Sequence, residues 1–170
     1  MQMVKNAFIV FLSIWISFLV FMPKKELYFA LEKELSKSGI ELNEKSIDSN
    51  IFGLDIKDID VYVENIKLAH IAQIDFKTLL FFNTVNIDKI SIDSSLKSML
   101  PQDINHTEMR YSIFNPKEVT VSSSGDFGFV KGYINIDKTL HLDFIKALNI
   151  KPFQRELKKG ENGWYYEKKF

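Results

Sequence analysis

The chain contains no cysteine among its 170 residues, so it has neither a disulfide framework nor a zinc site built on thiolates. This absence is compatible with a cytoplasmic or a periplasmic domain. The chain also has no excess of charge of either sign, since 22 basic residues balance 22 acidic residues. A nucleic-acid-binding protein calls for a basic face, and nothing here indicates one. We therefore expect no nucleic acid among the partners.

Beyond residue 22 the chain has no long apolar run, whereas residues 7–22 are apolar except for Ser13 and Ser17. As a helix this run is about 24 Å long, a little under the ~30 Å hydrocarbon core of a bilayer. A signal peptide requires small residues at its cleavage site, but bulky residues and Pro23 end this run. We therefore predict an uncleaved transmembrane anchor over residues 1–23.

The lengths of chain on the two sides of the anchor indicate its orientation. Basic residues do so poorly, because Lys5 on one side stands against Lys24 and Lys25 on the other. A short tail before the run and the rest of the chain after it favour a cytoplasmic N-terminus. We expect a single-pass inner-membrane protein with a periplasmic C-terminal domain. That part of the chain is long enough for one hydrophobic core and too short for two.

Residues 24–38 have the pattern of an amphipathic helix. Leu27, Leu31 and Leu35 recur at helical spacing, and Gly39 follows as a C-terminal stop. We expect this leucine stripe to pack on the protein's own domain. The alternative is that the stripe lies on the membrane surface beside the anchor. In either case residues 24–39 form one unit with the domain that follows.

From Ile40 onward the apolar residues alternate with a period of two, which predicts β-strands. Ile56 and Ile59 lie on opposite sides of a change of parity, which predicts a β-bulge or a tight corner between them. Residues 78–83 interrupt the alternation and predict a short helical turn that plugs one end of the sheet. Residues 94–107 read as a polar connection.

After that connection, strand patterns resume and continue to the end of the chain. Residues 152–159 predict a short helix, and residues 164–170 a closing strand. Tight turns between successive strands require antiparallel pairing, because parallel strands need long crossovers. The predicted fold class is α+β: a transmembrane helix, an amphipathic helix, then a curved antiparallel β-meander over residues 40–170 with short covering helices. One face of this sheet is apolar and the other charged.

No motif in the sequence indicates catalysis. Residues 122–126 contain serines but lack the G-x-S-x-G elbow of a hydrolase. Three mixed ligands, Asp103, His106 and Glu108, seldom make a metal site without a second histidine. A second acidic group consists of Asp55, Asp58 and Asp60. It lacks the loop glycine and the closing Glu of an EF-hand calcium loop, and its spacing is typical of the solvated face of a strand. We expect a non-enzymatic protein with no catalytic residues, cofactor or metal.

Residues 103–107 contain the acceptor sequence Asn105-His106-Thr107, preceded by Asp103 at the second position before Asn105. This stretch resembles the extended sequon of bacterial oligosaccharyltransferases, which act in the periplasm. If the domain is exported in a suitable host, Asn105 is a candidate for N-glycosylation. The alternative is a chance match, because such short patterns are common.

Three segments resemble the type II secretion system protein N family and AsmA-like proteins. Residues 21–27 are similar to the juncture after the anchor in the protein N family. In both families a Leu-Leu pair is followed by a turn and two strands, and residues 79–80 followed by 85–92 are similar to this motif. Residues 128–136 also fit the strand pattern of these families. The resemblance implies a single-pass inner-membrane protein with a curved periplasmic sheet and no catalytic residues. The chain is short, which departs from members with an envelope-spanning groove.

Two functions are compatible with this pattern. The first is a non-enzymatic accessory or assembly factor that presents its β domain to a protein partner in a secretion or envelope system. It predicts an apolar face closed by helices. The second is a lipid-binding or lipid-transfer module, which predicts that this face stays open as a groove. The predicted groove lining is Ile59, Val61, Ile74, Phe76, Ile87 and Ile134.

Overall fold

The computed structural model of the protein describes residues 2–96, 100–161 and 163–170. Two helices, α1 (Gln2–Phe21) and α2 (Lys24–Lys37), precede the strands. The strands are β1 (Ile40–Ser49), β2 (Gly53–Val63), β3 (Ile66–Thr78), β4 (Phe82–Ile92), β5 (Asp103–Ser112), β6 (Glu118–Gly125), β7 (Gly128–Asn135), β8 (Thr139–Ala147), β9 (Lys158–Gly160) and β10 (Gly163–Lys169). Two 3₁₀ helices span Ser94–Leu96 and Lys151–Glu156.

The strands form one ten-stranded open sheet in the order β1-β2-β3-β4-β5-β6-β7-β8-β10-β9. All neighbouring pairs are antiparallel. This arrangement confirms the predicted α+β class with an N-terminal apolar helix, a second helix and an antiparallel sheet. Of the described helices, α1 alone is long and apolar enough to cross a bilayer.

Successive connections alternate between the two ends of the sheet, because each strand reverses the direction of the one before it. The connections β1–β2, β3–β4, β5–β6 and β7–β8 lie at one end. The last residues of α1 also lie there, since Phe21 and Met22 line one cavity with Leu80 and another with Asn50 and Ile51. We call this the α1 end and the other the opposite end.

A line of unpaired residues crosses β1 to β5 at one level of the sheet. Lys45, Asp58, Ala72, Lys89 and Asn105 are skipped in the registers of successive strand pairs. Asp58 and Lys89 have φ angles of 53° and 54°, in the left-handed region. We call this line the crease.

The crease is the irregularity that the parity change between Ile56 and Ile59 predicts. Leu54 and Ile56 precede Asp58 with even numbers, whereas Ile59 follows it with an odd number, and all three are buried. The left-handed residue rotates the backbone, so that apolar side chains stay on one face of the sheet. Because the neighbouring strands are irregular at the same level, this face continues across the crease.

Helix α2 packs on β1 and β2 and covers the apolar face at that edge of the sheet. Tyr28, Leu54, Ile56 and Ile59 are the buried residues of this core, with exposed fractions of 9%, 3%, 2% and 0%. Partly buried apolar side chains surround them: Leu42, Ile47, Ile71, Ile74 and Phe76.

The prediction that the leucine stripe of α2 packs on the domain is wrong for two of its three residues. Leu27 and Leu31 are 51% and 56% exposed, whereas Tyr28 is buried. Tyr28 lies one position further round the helix than Leu27, and its ring provides the larger apolar body against the sheet. Which face packs is therefore decided by the shape of the sheet surface and not by the most apolar stripe.

Three local predictions also require correction. The helical turn predicted at residues 78–83 is a hairpin connection, in which Leu80 takes a φ of 68° and Leu79 N donates to Phe82 O at 2.9 Å. The polar connection predicted at residues 94–107 ends earlier, because β5 begins at Asp103, and its residues 97–99 lie outside the described chain. The helix predicted at residues 152–159 is a 3₁₀ helix that ends at Glu156, before β9. The short covering helices of the predicted fold are therefore not confirmed.

Candidate functional site

The apolar face of the other half of the sheet forms an open groove of about 490 Å³. This volume lies within the range of small-molecule sites, about 300–1,000 Å³. The groove lies over β5 to β8 and β10, away from the edge that α2 covers. Its lining is Leu100, Pro101, Ile104, Thr107, Met109, Val121, Ser123, Phe127, Val130, Ile134, Leu140, Leu142, Phe144, Phe153, Glu156, Leu157 and Tyr166.

Alternate positions of β7 and β8 form the floor of the groove. Val130 pairs with Phe144, and Ile134 pairs with Leu140, so their side chains project from the same face. Between these pairs Gly132 faces Leu142. A Cβ atom at Gly132 would lie 1.8 Å from the carbonyl oxygen of His141, so the close approach of β7 and β8 requires glycine.

Aromatic side chains close the groove toward the opposite end of the sheet. Phe127, from the β6–β7 turn, is 6% exposed, and its ring centroid lies 6.3 Å from that of Phe144. Phe153, in the 3₁₀ helix Lys151–Glu156, lies 6.2 Å from Phe144 by the same measure. Leu157 follows this helix and is buried. The 3₁₀ helix is therefore a short apolar cap over one end of the groove.

The polar groups of the groove are few and largely satisfied by one another. The hydroxyls of Thr107 and Ser123 lie 2.7 Å apart, and Ser123 Oγ also donates to the carbonyl oxygen of His106 at 3.3 Å. Glu156 is the charged member of the lining. A groove with satisfied hydroxyls and an apolar floor suits an apolar ligand, because a polar ligand would lose hydrogen bonds to water without replacement.

The outer face of the sheet carries the charged side chains. Asp60 Oδ1 lies 2.7 Å from both Lys67 Nζ and His70 Nδ1. The bond to Lys67, followed by that to His70, holds the pKa of Asp60 below its usual range. His106 pairs with Asp88 on the next strand. These contacts are cross-strand pairs of a solvated face.

The third histidine, His141, lies on the same face between two tyrosine rings. Its ring centroid is 5.3 Å from that of Tyr133 and 5.2 Å from that of Tyr165. His141 Nδ1 also lies 3.3 Å from Glu167 Oε2, and Nε2 lies 3.3 Å from Asp143 Oδ1. The stack and the two carboxylates give this imidazole a structural role in joining β7, β8 and β10.

The side chains considered for a metal are engaged separately. Asp103 accepts a hydrogen bond from Ser91 Oγ at 3.2 Å, His106 pairs with Asp88, and Glu108 pairs with Arg110 at 2.8 Å. Within residues 2–96, 100–161 and 163–170, no group of three or more His, Asp or Glu side chains is arranged to hold a metal ion. Asp60 belongs to the cluster with Lys67 described above, and Asp55 pairs with Lys57 at 3.3 Å.

The residues predicted to line a groove divide between the two halves of the sheet. Ile134 lines the groove over β5 to β8 and β10. Ile59, Ile74 and Phe76 lie in the core that α2 covers. The other two predicted lining residues lie on β2 and β4, outside the groove lining: Val61 and Ile87. The prediction missed other lining residues, such as Leu142 and Phe144, although they follow the same alternation. The alternation does not tell which part of the apolar face α2 covers, and this position decides which residues stay open in a groove.

Asn105, the predicted glycosylation acceptor, lies in the crease on β5, and its side chain is exposed. Thr107 of the same sequon faces the groove, where its hydroxyl contacts Ser123. Acceptor sites are typical of surface loops, whereas this one is part of a paired strand. Modification of Asn105 stays a prediction.

Compared with protein-family models, curated proteins and solved structures, the chain has no significant match. The resemblance to the type II secretion system protein N and AsmA-like families therefore stays a prediction.

Proposed function

We propose that this protein is a membrane-anchored lipid-binding module whose sheet holds an acyl chain in the groove. The observation that carries the proposal is the open apolar groove of about 490 Å³ over β5 to β8 and β10. An acyl chain in this groove leaves water for an apolar surface, and this transfer is the main favourable term of such binding. The role is binding, without catalysis and without a cofactor.

Helix α1 supports the anchoring part of the proposal. It is long and apolar enough to cross a bilayer, and most of its apolar side chains are exposed, including Phe8, Phe11 and Phe18 at 63%, 61% and 64%. A helix in water would bury such side chains, whereas lipid solvates them. Lys24 Nζ donates to Leu19 O at 2.7 Å, so a cation caps the negative end of α1. We propose the inner membrane, with a cytoplasmic N-terminus and a periplasmic sheet.

A photoreactive lipid tests the proposal on the full-length chain. The protein is reconstituted in vesicles containing a phospholipid with a diazirine in its acyl chain, irradiated and digested. We expect crosslinks in peptides from β5, β7 and β8, in addition to those in α1. Crosslinks confined to α1 would contradict lipid binding in the groove and leave the anchor intact.

A pair of variants separates the groove from the rest of the surface. Met109→Trp fills the groove from β5, and Arg110→Trp places the same ring on the outer face at the next residue. Overpacking costs about 1–3 kcal/mol, so we expect crosslinking to β7 and β8 to fall about tenfold in Met109→Trp. Arg110→Trp is expected to crosslink like the original chain. Circular dichroism of both variants checks that the sheet is intact.

The second candidate function, an accessory or assembly factor for a protein partner in the envelope, is favoured by one observation. Strand β1, ten residues long, forms an edge of the sheet and is available for strand addition. A photocrosslinking amino acid at Asn43 on β1, with one at Lys131 on β7 as control, tests this function in cells. A protein adduct at position 43 alone would support the assembly role, and equal yields at both positions would contradict it.

A further inference from the structure

The connections at the α1 end carry large apolar side chains that are exposed. The β1–β2 connection contains Ile51 and Phe52, each 51% exposed. In the β5–β6 connection Ile113 and Phe114 are 49% and 78% exposed, and Ile136 in the β7–β8 connection is 67% exposed. Leu79 and Phe81 lie in the β3–β4 connection, Phe82 is the first residue of β4, and Phe170 follows β10 at the same end of the sheet. We call these nine residues the apolar rim.

The apolar rim crosses most of the sheet. From β1 to β8 the strands are spaced by about 4.8 Å, so the rim is roughly 30 Å wide. Phe82 and Phe114 contact one another across two connections, with ring centroids 5.7 Å apart. Large contiguous apolar surface on a protein marks an interaction site. Lys117 lies in the β5–β6 connection, and Lys138 lies in the β7–β8 connection next to Asp137, so these two connections together carry one net positive charge beside the apolar side chains.

The connections at the opposite end differ in composition. The β2–β3 turn is Glu64-Asn65, Asp93 follows β4, and Asp126 begins the β6–β7 turn. Phe127, in that last turn, points into the groove and is buried. The exposed large apolar side chains near this end are fewer: Ile66 at the start of β3, Leu100 between β4 and β5, Ile145 near the end of β8 and Leu148 after it. The contrast between the ends shows that the apolar rim is not a general property of the hairpins.

The apolar rim lies where α1 leaves the domain. Phe18 and Phe21 of α1 line a cavity with Leu80 of the β3–β4 connection. A second cavity joins Phe21 and Met22 to Ile51. If α1 spans a bilayer, as in the proposed function, the same bilayer surface meets the connections at this end.

We propose that the apolar rim is set into the interface of the membrane that α1 crosses, so that the strands stand away from the bilayer. Aromatic and aliphatic side chains are suited to the boundary between headgroups and acyl chains, and lysines beside them suit anionic headgroups. The rim fixes the orientation of the sheet, which a single helix alone cannot do. The proposal rests on the membrane anchoring in the proposed function.

This orientation also places one end of the groove at the bilayer. Ile134 and Leu140, the groove pair of β7 and β8 nearest the α1 end, lie on either side of the β7–β8 connection that contains Ile136. The opposite end of the groove is closed by Phe127, Phe153 and Leu157. In this orientation a lipid passes between the bilayer and the groove without crossing bulk water.

Single spin labels on the full-length chain test the position of the rim. Because the chain has no cysteine, Phe114→Cys, Asn65→Cys and Ile9→Cys each create one labelling site. The labelled proteins are reconstituted in vesicles of phosphatidylcholine with a minority of phosphatidylglycerol. Electron paramagnetic resonance then measures how accessible each label is to oxygen, which concentrates in lipid, and to a nickel chelate, which stays in water.

We expect the label at position 114 to be several-fold more accessible to oxygen than to the chelate, relative to the label at position 65. Position 9, in α1, reports the anchor. If position 9 is in lipid and position 114 is as aqueous as position 65, the rim proposal fails and the anchor stands. If position 9 is aqueous, the anchor itself fails. A label at position 114 that is shielded from both reagents, or broadened by a second copy, means a protein contact and also overturns the proposal.

Discussion

The two halves of the sheet use the same alternation of apolar and polar residues but differ in what covers the apolar face. Over β1 and β2, helix α2 and the ring of Tyr28 close the face, and Ile59 has no exposed surface. Over β5 to β8 the face opens as a groove, and most of its side chains, such as Leu142, are only partly buried. We therefore expect the covered half to contribute more to stability, and the open half is the one that we propose binds lipid.

The strongest way to sharpen this contrast is to remove a side chain from each half. Ile59→Ala creates a cavity in the covered core, and we expect a loss of about 2–5 kcal/mol in the free energy of unfolding. Leu140→Ala in the groove removes a partly exposed side chain and is expected to cost much less. Thermal unfolding of the full-length chain, followed by circular dichroism, compares the two. Equal losses would contradict the division of the sheet.

A second prediction concerns the close approach of strands beneath the groove. Gly132→Ala places a methyl group against the carbonyl oxygen of His141, so β7 and β8 must separate, and we expect a loss of about 1–3 kcal/mol. Gly160→Ala is the control, because its methyl group would meet the ring of Tyr165 at 3.3 Å and backbone only at 3.8 Å, the distance to the carbonyl oxygen of Gly163. A Gly132→Ala variant as stable as the control would show that the strands are not in close contact there.

The third prediction tests the outer face, where cross-strand ion pairs replace apolar packing. Lys67 and His70 lower the pKa of Asp60, so the ionised carboxylate stabilises the folded protein. This contribution is complete above the unfolded pKa of about 3.9 and is lost as the pH falls through the lower folded value. We expect Asp60→Asn to cost about 0.5 kcal/mol at neutral pH, and progressively less in acid. A loss that does not depend on pH would contradict the ion-pair explanation.

The smallest expected effect lies at the contact between α2 and β1. Partial burial, followed by the carboxylate of Glu44, raises the pKa of Glu32. Ionised Glu32 is therefore less favourable in the folded than in the unfolded protein, and stability falls as the pH rises through the raised pKa. Glu32→Gln is expected to raise the melting temperature slightly at neutral pH and to leave it unchanged below about pH 4. Glu34→Gln, on the exposed side of α2, is the matched control.

Much of the fold can be predicted from local sequence patterns, but which half of the sheet is covered and which is open cannot. The alternation around Ile56 and Ile59 indicates both the strands and the irregularity between them, because period and parity are properties of neighbouring residues. The face of α2 that packs is not local: Leu27 and Tyr28 are about 100° apart on the helix, and the sheet decides between them. The same limit explains why the alternation predicts Ile74 in a groove although it lies in the covered core: the position of α2 cannot be read from periodicity.

The order of strands has a consequence for how this sheet assembles and changes. From β1 to β8 every strand pairs with its neighbours in the chain, so most contacts are local and a single hairpin can serve as a template for the next. An added hairpin would extend the array without disturbing the pairs already formed, as in repeat proteins. Duplication of a hairpin is therefore a simple route to a wider sheet and, under the proposed function, to a longer groove for lipid.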